Sequence, residues 1–180
     1  MNVTKFFRAA IATSALFVGL ASTASAEIVT WTGDTTGGAT VDLTPFEIDG
    51  DAVPYFATTF TVDADGPYSF LLTGTYGTDT VTLLYENSFD SSDATVNFLN
   101  GSDDDVTINT SSFAEELTAG TTYVFVVTGY NNTDFGKYSV TIEGPGLASV
   151  SAVPEPSTYA MLGLGLAAVG FTARRRKALK

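Results

Sequence analysis

Residues 27–146 predict an all-β fold, a sandwich of two packed sheets, and three observations carry that expectation. Thr, Val, Phe and Tyr, which suit a pleated strand, dominate the segment. Apolar and polar residues alternate with period two over several runs. Turn signals separate those runs at spacings of about 8–15 residues, as in small sandwiches.

In chain order, 28–32 and 40–43 are weak strand candidates. Residues 56–62, 68–73, 80–85, 121–128 and 136–143 are stronger ones. The turns between them fall at 63–67, 74–77, 119–120 and 131–134, each rich in Gly, Asp, Asn or Pro. Residues 111–117 fit either one helical turn or an irregular strand. Alternation places Phe56, Phe60, Val62, Tyr68, Phe70 and Leu72 on an inward face. It places Val81, Leu83, Tyr85, Tyr123, Phe125, Val127, Tyr138, Val140 and Ile142 there too. Two sheets of this size bury one core. Residues 147–153 read as a linker without stable structure.

Charge is very unevenly placed. The 180-residue chain carries a net charge of −12. Residues 27–153 hold nineteen acids against one base, Lys137, a net −18. Such a surface repels phosphate backbones, so nucleic acid is not an expected partner. The chain has no His and no Cys. That excludes disulfides, thiolate metal sites, a Cys nucleophile and any Ser-His-Asp triad.

The two ends read as addresses. Lys5 and Arg8 precede an apolar run of 13 residues at 9–21, and Ala24-Ser25-Ala26 follows as a small-x-small cleavage pattern. This order is that of a secretory signal helix, removed by signal peptidase to leave Glu27 first. At the other end come Val153-Pro154-Glu155-Pro156, then 17 uncharged residues at 157–173, then Arg174, Arg175, Arg176 and Lys177. As a helix those 17 residues span roughly 26 Å at about 1.5 Å each, the short limit for crossing a bilayer core. Pro156 suits a helix start. Both basic flanks stay cytoplasmic by the positive-inside rule, which puts the acidic middle outside the inner membrane.

This tail resembles the PEP-CTERM sorting signal of Gram-negative bacteria: the Pro154-Glu155-Pro156 triplet, a short Gly/Ala/Leu helix and a terminal Arg cluster, in that order. The resemblance implies a sorting motif over 154–180, recognition by an exosortase, removal of the tail, and delivery to the cell surface or extracellular matrix. It also implies passage through the inner membrane and an association with exopolysaccharide and biofilm.

Tyr68-Ser-Phe-Leu-Leu-Thr-Gly74, Asp79, Leu83-Leu84-Tyr85, Asp103-Asp104-Asp105, the stretch from Leu117 to Tyr123 and the stretch from Gly136 to Ile142 resemble, in order and spacing, the bacterial pre-peptidase C-terminal domain. That resemblance covers roughly residues 55–143. It implies a jelly-roll-like β-sandwich, usually appended to secreted enzymes as a binding or secretion accessory. No peptidase precedes it here, so a proteolytic role is not implied.

Four constellations are candidate sites. Asp103, Asp104 and Asp105 follow a flexible Gly, with Asp90 and Asp93 in the preceding loop. Calcium takes six to eight oxygens of this kind, although the spacing is not that of an EF-hand. A calcium site and a solvated acidic turn both fit. Tyr130, Asn131 and Asn132 pair an aromatic ring with amides in one loop, as a sugar-binding site would; Trp31, Tyr55 and Tyr76 are further aromatics at expected loop or edge positions. Glu115-Glu116 is a pair of acids, but strand neighbours point to opposite faces and cannot flank one glycosidic bond. Thr78-Asp-Thr80-Val-Thr82 is an alternating Thr array without the fixed-period repeat an ice-binding face needs. The reading is a non-enzymatic exported sandwich in a structural or adhesive role. The alternatives are a carbohydrate-binding module, with extracellular polysaccharide as partner, and an accessory domain docking a secreted enzyme.

Overall fold

A computed structural model describes residues 25–75 and 78–151 of the chain. The tail helix expected over 157–173, and the signal helix apart from residues 25 and 26, lie outside the described residues.

Eleven strands run in order: β1 (Glu27–Asp34), β2 (Thr40–Val41), β3 (Val53–Pro54), β4 (Phe56–Val62), β5 (Gly66–Gly74), β6 (Thr80–Glu86), β7 (Phe98–Ser102), β8 (Thr110–Leu117), β9 (Thr122–Gly129), β10 (Lys137–Gly144) and β11 (Ala148–Ser151). One sheet has the order β1-β10-β5-β8 and the other β11-β4-β9-β6-β7; β2 and β3 form a separate ladder. Every pairing is antiparallel. The pairs β1–β10, β4–β9, β5–β8 and β6–β7 fold over one another so that, from β4 on, the chain changes sheet at each step except the β6–β7 hairpin. That is jelly-roll connectivity, and the all-β sandwich holds.

The inward alternation is right for β5 and β10. Tyr68, Phe70, Leu72, Tyr138, Val140 and Ile142 meet Phe60, Leu84, Phe125 and Val127 between the sheets. Phe70 stacks on Phe113 at 4.8 Å and on Phe125 at 5.4 Å. Tyr68 lies across Gly144, where an added Cβ would fall inside its ring, so close packing of the rings depends on that glycine.

For β6 the expected face is wrong. Val81, Leu83 and Tyr85 belong to a second core on the far side of the five-stranded sheet, with Val124, Val126, Val41, Leu43 and Val53. The residues between β1 and β4, including a 3-10 turn at Thr44–Phe46, cover this outer face. β6 and β9 are therefore buried on both faces, which is why β9 reads as a nearly continuous apolar run, while β6 carries Thr80 and Thr82 on its inward side.

Two further expectations are corrected. Residues 111–117 lie in a regular strand, β8, held by β5 over its whole length. Residues 148–151 are no linker: they form β11 along the edge of β4, so the folded domain runs to Ser151. Thr80 and Thr82 are buried on the inward face rather than displayed. The Thr80 and Ser111 hydroxyls bond at 2.8 Å and Ser111 Oγ donates to Thr80 O, stitching sheet to sheet. Asn100 of β7 makes a second stitch, donating to Glu115 Oε2 of β8 at 2.9 Å and to Ala114 O at 3.3 Å.

Candidate functional sites

Ala26 is exposed and directly precedes β1, whose first residue, Glu27, pairs with Gly144. Ala24 lies outside the described residues, as do Pro154, Glu155, Pro156, Arg174, Arg175 and Arg176. The described part fixes where the tail leaves. β11 ends at Ser151, and only Ala152 and Val153 separate it from Pro154. Among the described residues no helix is long and apolar enough to cross a membrane.

Asp90 and Asp93 lie between β6 and β7; Asp103, Asp104 and Asp105 lie between β7 and β8, all exposed. Asp90 Oδ1 accepts the Ser92 hydroxyl at 2.7 Å and its N–H at 2.9 Å, which hold the carboxyl below its ordinary value. Asp93 Oδ1 likewise accepts the Thr95 hydroxyl at 2.6 Å and N–H at 3.1 Å. The backbone carbonyls of Asp103 and Asp104 accept the hydroxyls of Ser111 and Ser102. Among the described residues no group of three or more acids is placed to hold a metal ion, so the expected calcium set does not assemble. The reason is local: the Asp90 and Asp93 carboxylates cap their own turns. The same Asx-x-Ser/Thr turn recurs at Asp34/Thr36, Asp42/Thr44 and Asn131/Thr133. That spacing is visible in the sequence and is the signal that separates a turn from a ligand set.

The β9–β10 loop is equally occupied. Asn131 caps Thr133. Asn132 Oδ1 accepts from Ala52 N at 2.9 Å, and its Nδ2 donates to Asp51 Oδ1 at 2.7 Å. Tyr130 packs against the second core. These residues tie the loop to the covering segment, with Tyr130 half-buried against it. Trp31 meets Phe125 edge-on at 5.9 Å, and Tyr55 meets Phe89 at 5.1 Å. Tyr76 lies outside the described residues. Glu115 and Glu116 sit at successive positions of β8, Glu115 accepting from Asn100 and Glu116 exposed.

A surface that the sequence did not single out is the outer face of the four-stranded sheet. Register places Thr32, Ser139, Thr73 and Thr110 on one rung and Thr30, Thr141, Leu71 and Ser112 on the next. Seven hydroxyls and one half-exposed leucine thus occupy eight neighbouring positions, with strands about 4.8 Å apart and rungs about 6.7 Å apart. Thr30 and Thr141 bond hydroxyl to hydroxyl at 3.0 Å. Asp34 lies opposite Lys137 at one end, Glu143 and Glu116 lie toward the other, and Asp105 lines a depression beside Leu71, Ser112 and Thr141. A shallow depression of about 700 Å³ opens beside Thr32, Thr73, Lys137 and Ser139. Each of these strands shows its hydroxyls singly; only pairing across β1, β10, β5 and β8 gathers them.

Comparison with known proteins bears on the tail first. Residues 152–177 match the PEP-CTERM protein-sorting motif. This is the signal of an exported, exosortase-processed protein, here joined to a β-sandwich. No curated protein matches the chain in sequence. Among solved structures, the chain is similar to the pre-peptidase C-terminal domain of a collagenase from Bacillus anthracis. That match has 19% identity and a TM-score of 0.40, and covers 63% of this chain and 87% of that one. It is also similar to PliG, a periplasmic inhibitor of g-type lysozyme from Aeromonas hydrophila, with 8% identity and a TM-score of 0.39, over 70% of this chain and 86% of that one. The sandwich assignment rests on the strand pairing itself.

Proposed function

We propose that the protein passes through the inner membrane of a Gram-negative bacterium and loses its tail to an exosortase. It then serves at the cell surface or in the extracellular matrix as a non-catalytic, structural or adhesive module associated with exopolysaccharide. The observation that carries this reading is the junction: a folded sandwich whose last strand ends at Ser151, directly before the sorting motif at 152–177, makes the sandwich the delivered cargo. A chain without His or Cys lacks the commonest general base and the commonest nucleophile–base pairs, which supports a role in contact rather than catalysis.

The hydroxyl rungs support contact with a polyhydroxylated chain. Each hydroxyl exchanges a water for a sugar hydroxyl at little net cost, and Leu71 offers an apolar surface to a ring face. The net −18 of residues 27–153 disfavours an acidic polymer unless divalent cations bridge the two. In a strain lacking its exosortase, tail-bearing protein accumulates in the membrane fraction. The mature domain co-sediments with cell-free exopolysaccharide from the same strain, and Leu71→Glu with Thr73→Glu abolishes that co-sedimentation. Wild-type protein that stays in the supernatant, with and without millimolar calcium, overturns the polysaccharide role.

A further inference from the structure

We propose that β11 is a releasable tether, and that it must peel from β4 before the sorting enzyme can take the tail. The inference rests on the reading of the tail as an exosortase substrate. Three observations carry it.

The first is length. With β11 zipped, the last fixed residue is Ser151, six residues before the apolar segment begins at Ser157. Six extended residues reach at most about 20 Å. The headgroup layer takes about 5–8 Å of that, the difference between the hydrocarbon core and the full bilayer on one side. The sandwich is then held almost against the membrane surface, with the Pro154-Glu155-Pro156 triplet inside the gap. Once β11 is free, the last fixed point is Gly146, buried against Asp63 and Ala64. Eleven residues then separate it from Ser157 and reach at most about 36 Å.

The second is backbone availability. One way to recognise an unfolded segment is to add it as an extended strand through its N–H and C=O groups. Alternate residues of 148–151, immediately upstream of the motif, bond β4 in the register Ala148↔Val62 to Ser151↔Thr59, and the backbone groups they use are closed to a second partner until β11 opens.

The third is that the strand is built to let go. β11 has four residues at a sheet edge and pairs with one neighbour. Ala148 is its only buried side chain; Val150 is half-buried and both serines face outward. Short edge strands of this kind open locally without global unfolding. The other end of the domain differs: β1 is held by β10 over eight residues.

The test uses the full chain in its own bacterium, followed by intact mass of the tail-bearing and tail-free forms. The chain has no cysteine, so Ser149→Cys with Thr61→Cys, a directly opposed pair, introduces a single crosslink in an oxidising compartment. The crosslinked variant loses its tail at least ten-fold more slowly than wild type. Either reductant or ten Gly/Ser residues inserted after Ser151 restores the rate, and each single-cysteine variant is processed normally. Val150→Asp, which loosens the strand without a crosslink, is processed faster. Wild-type processing of the crosslinked protein, or no acceleration by Val150→Asp, overturns the tether. Wild-type chain that keeps its tail in cells with an active exosortase overturns instead the reading on which the tether rests.

Discussion

Three buried polar atoms have no partner among the described residues: Tyr85 Oη, Tyr138 Oη and Trp31 Nε1. Burial pushes both tyrosine hydroxyls well above their ordinary value. Tyr68 is the contrast, because its hydroxyl donates to Ala64 O at 3.0 Å. An unmade hydrogen bond costs the desolvation of its group, while a made one contributes about 1 kcal/mol. Tyr85→Phe is therefore neutral or stabilising and Tyr68→Phe costs about 1 kcal/mol, as urea unfolding of the mature domain will show. A larger loss in Tyr85→Phe would reveal a partner for that hydroxyl. Asp79 is half-buried. Burial first, and then Asp104, Asp134 and Asp103, raise its carboxyl above 3.8. The folded state holds that proton more tightly than the unfolded chain, so this residue's contribution falls as pH rises from 3.8 through the raised value. Asp79→Asn raises Tm at pH 7 and leaves it almost unchanged at pH 3; a fall at pH 7 contradicts the assignment. Asp34, Asp42 and Asp90 run the other way. The Thr36, Thr44 and Ser92 side chains and N–H groups hold their carboxyls low, so what they contribute is lost as pH falls below 3.8.

The open side of the sandwich, between β7 and β8, is closed by the Asn100 stitch and the Thr80–Ser111 pair. Asn100→Ala removes two donated bonds, one of them to a carboxylate, and lowers stability by about 1–3 kcal/mol. Asn100→Asp lowers it further by setting like charges against Glu115. Equal stability of all three proteins in denaturant titrations would show that the stitch contributes nothing. How legible each strand was follows its surroundings. β5 and β10 each have one wet and one dry face, so period two found both the strand and its orientation. β6 and β9 were found as strands; the inward face of β9 was right, with Tyr123, Phe125 and Val127 in the core between the sheets, but that of β6 was not, because Val81, Leu83 and Tyr85 are covered by a distant segment that carries little strand signal. β8 was ambiguous because Phe113 and Leu117 stand four apart, a helical spacing, and only its pairing with β5 decides. β11, with the sequence Ala-Ser-Val-Ser, has almost no apolar signal and exists because β4 offers an edge. β7 contains Asn100-Gly101, which reads as a turn; an added Cβ at Gly101 would meet Thr82 O at 2.6 Å, so the glycine serves close strand approach instead. Among the candidate sites, the tail was legible because its order is linear. The hydroxyl face was not, since it exists only across four strands.

At the scale of the whole chain, cargo and address are separable. A domain with net −18 sits between two apolar segments flanked by basic residues, and both joints fall at the ends of hydrogen-bonded strands, β1 and β11. The acidic surface favours solubility and disfavours self-association. The most direct test is intact-mass measurement of the protein recovered from the cell surface and culture supernatant of the producing bacterium. The account predicts a species that begins at Glu27 and lacks the terminal Arg174-Arg175-Arg176 cluster with its apolar segment. An intact chain from Met1 to Lys180 recovered from the cytosol would contradict it.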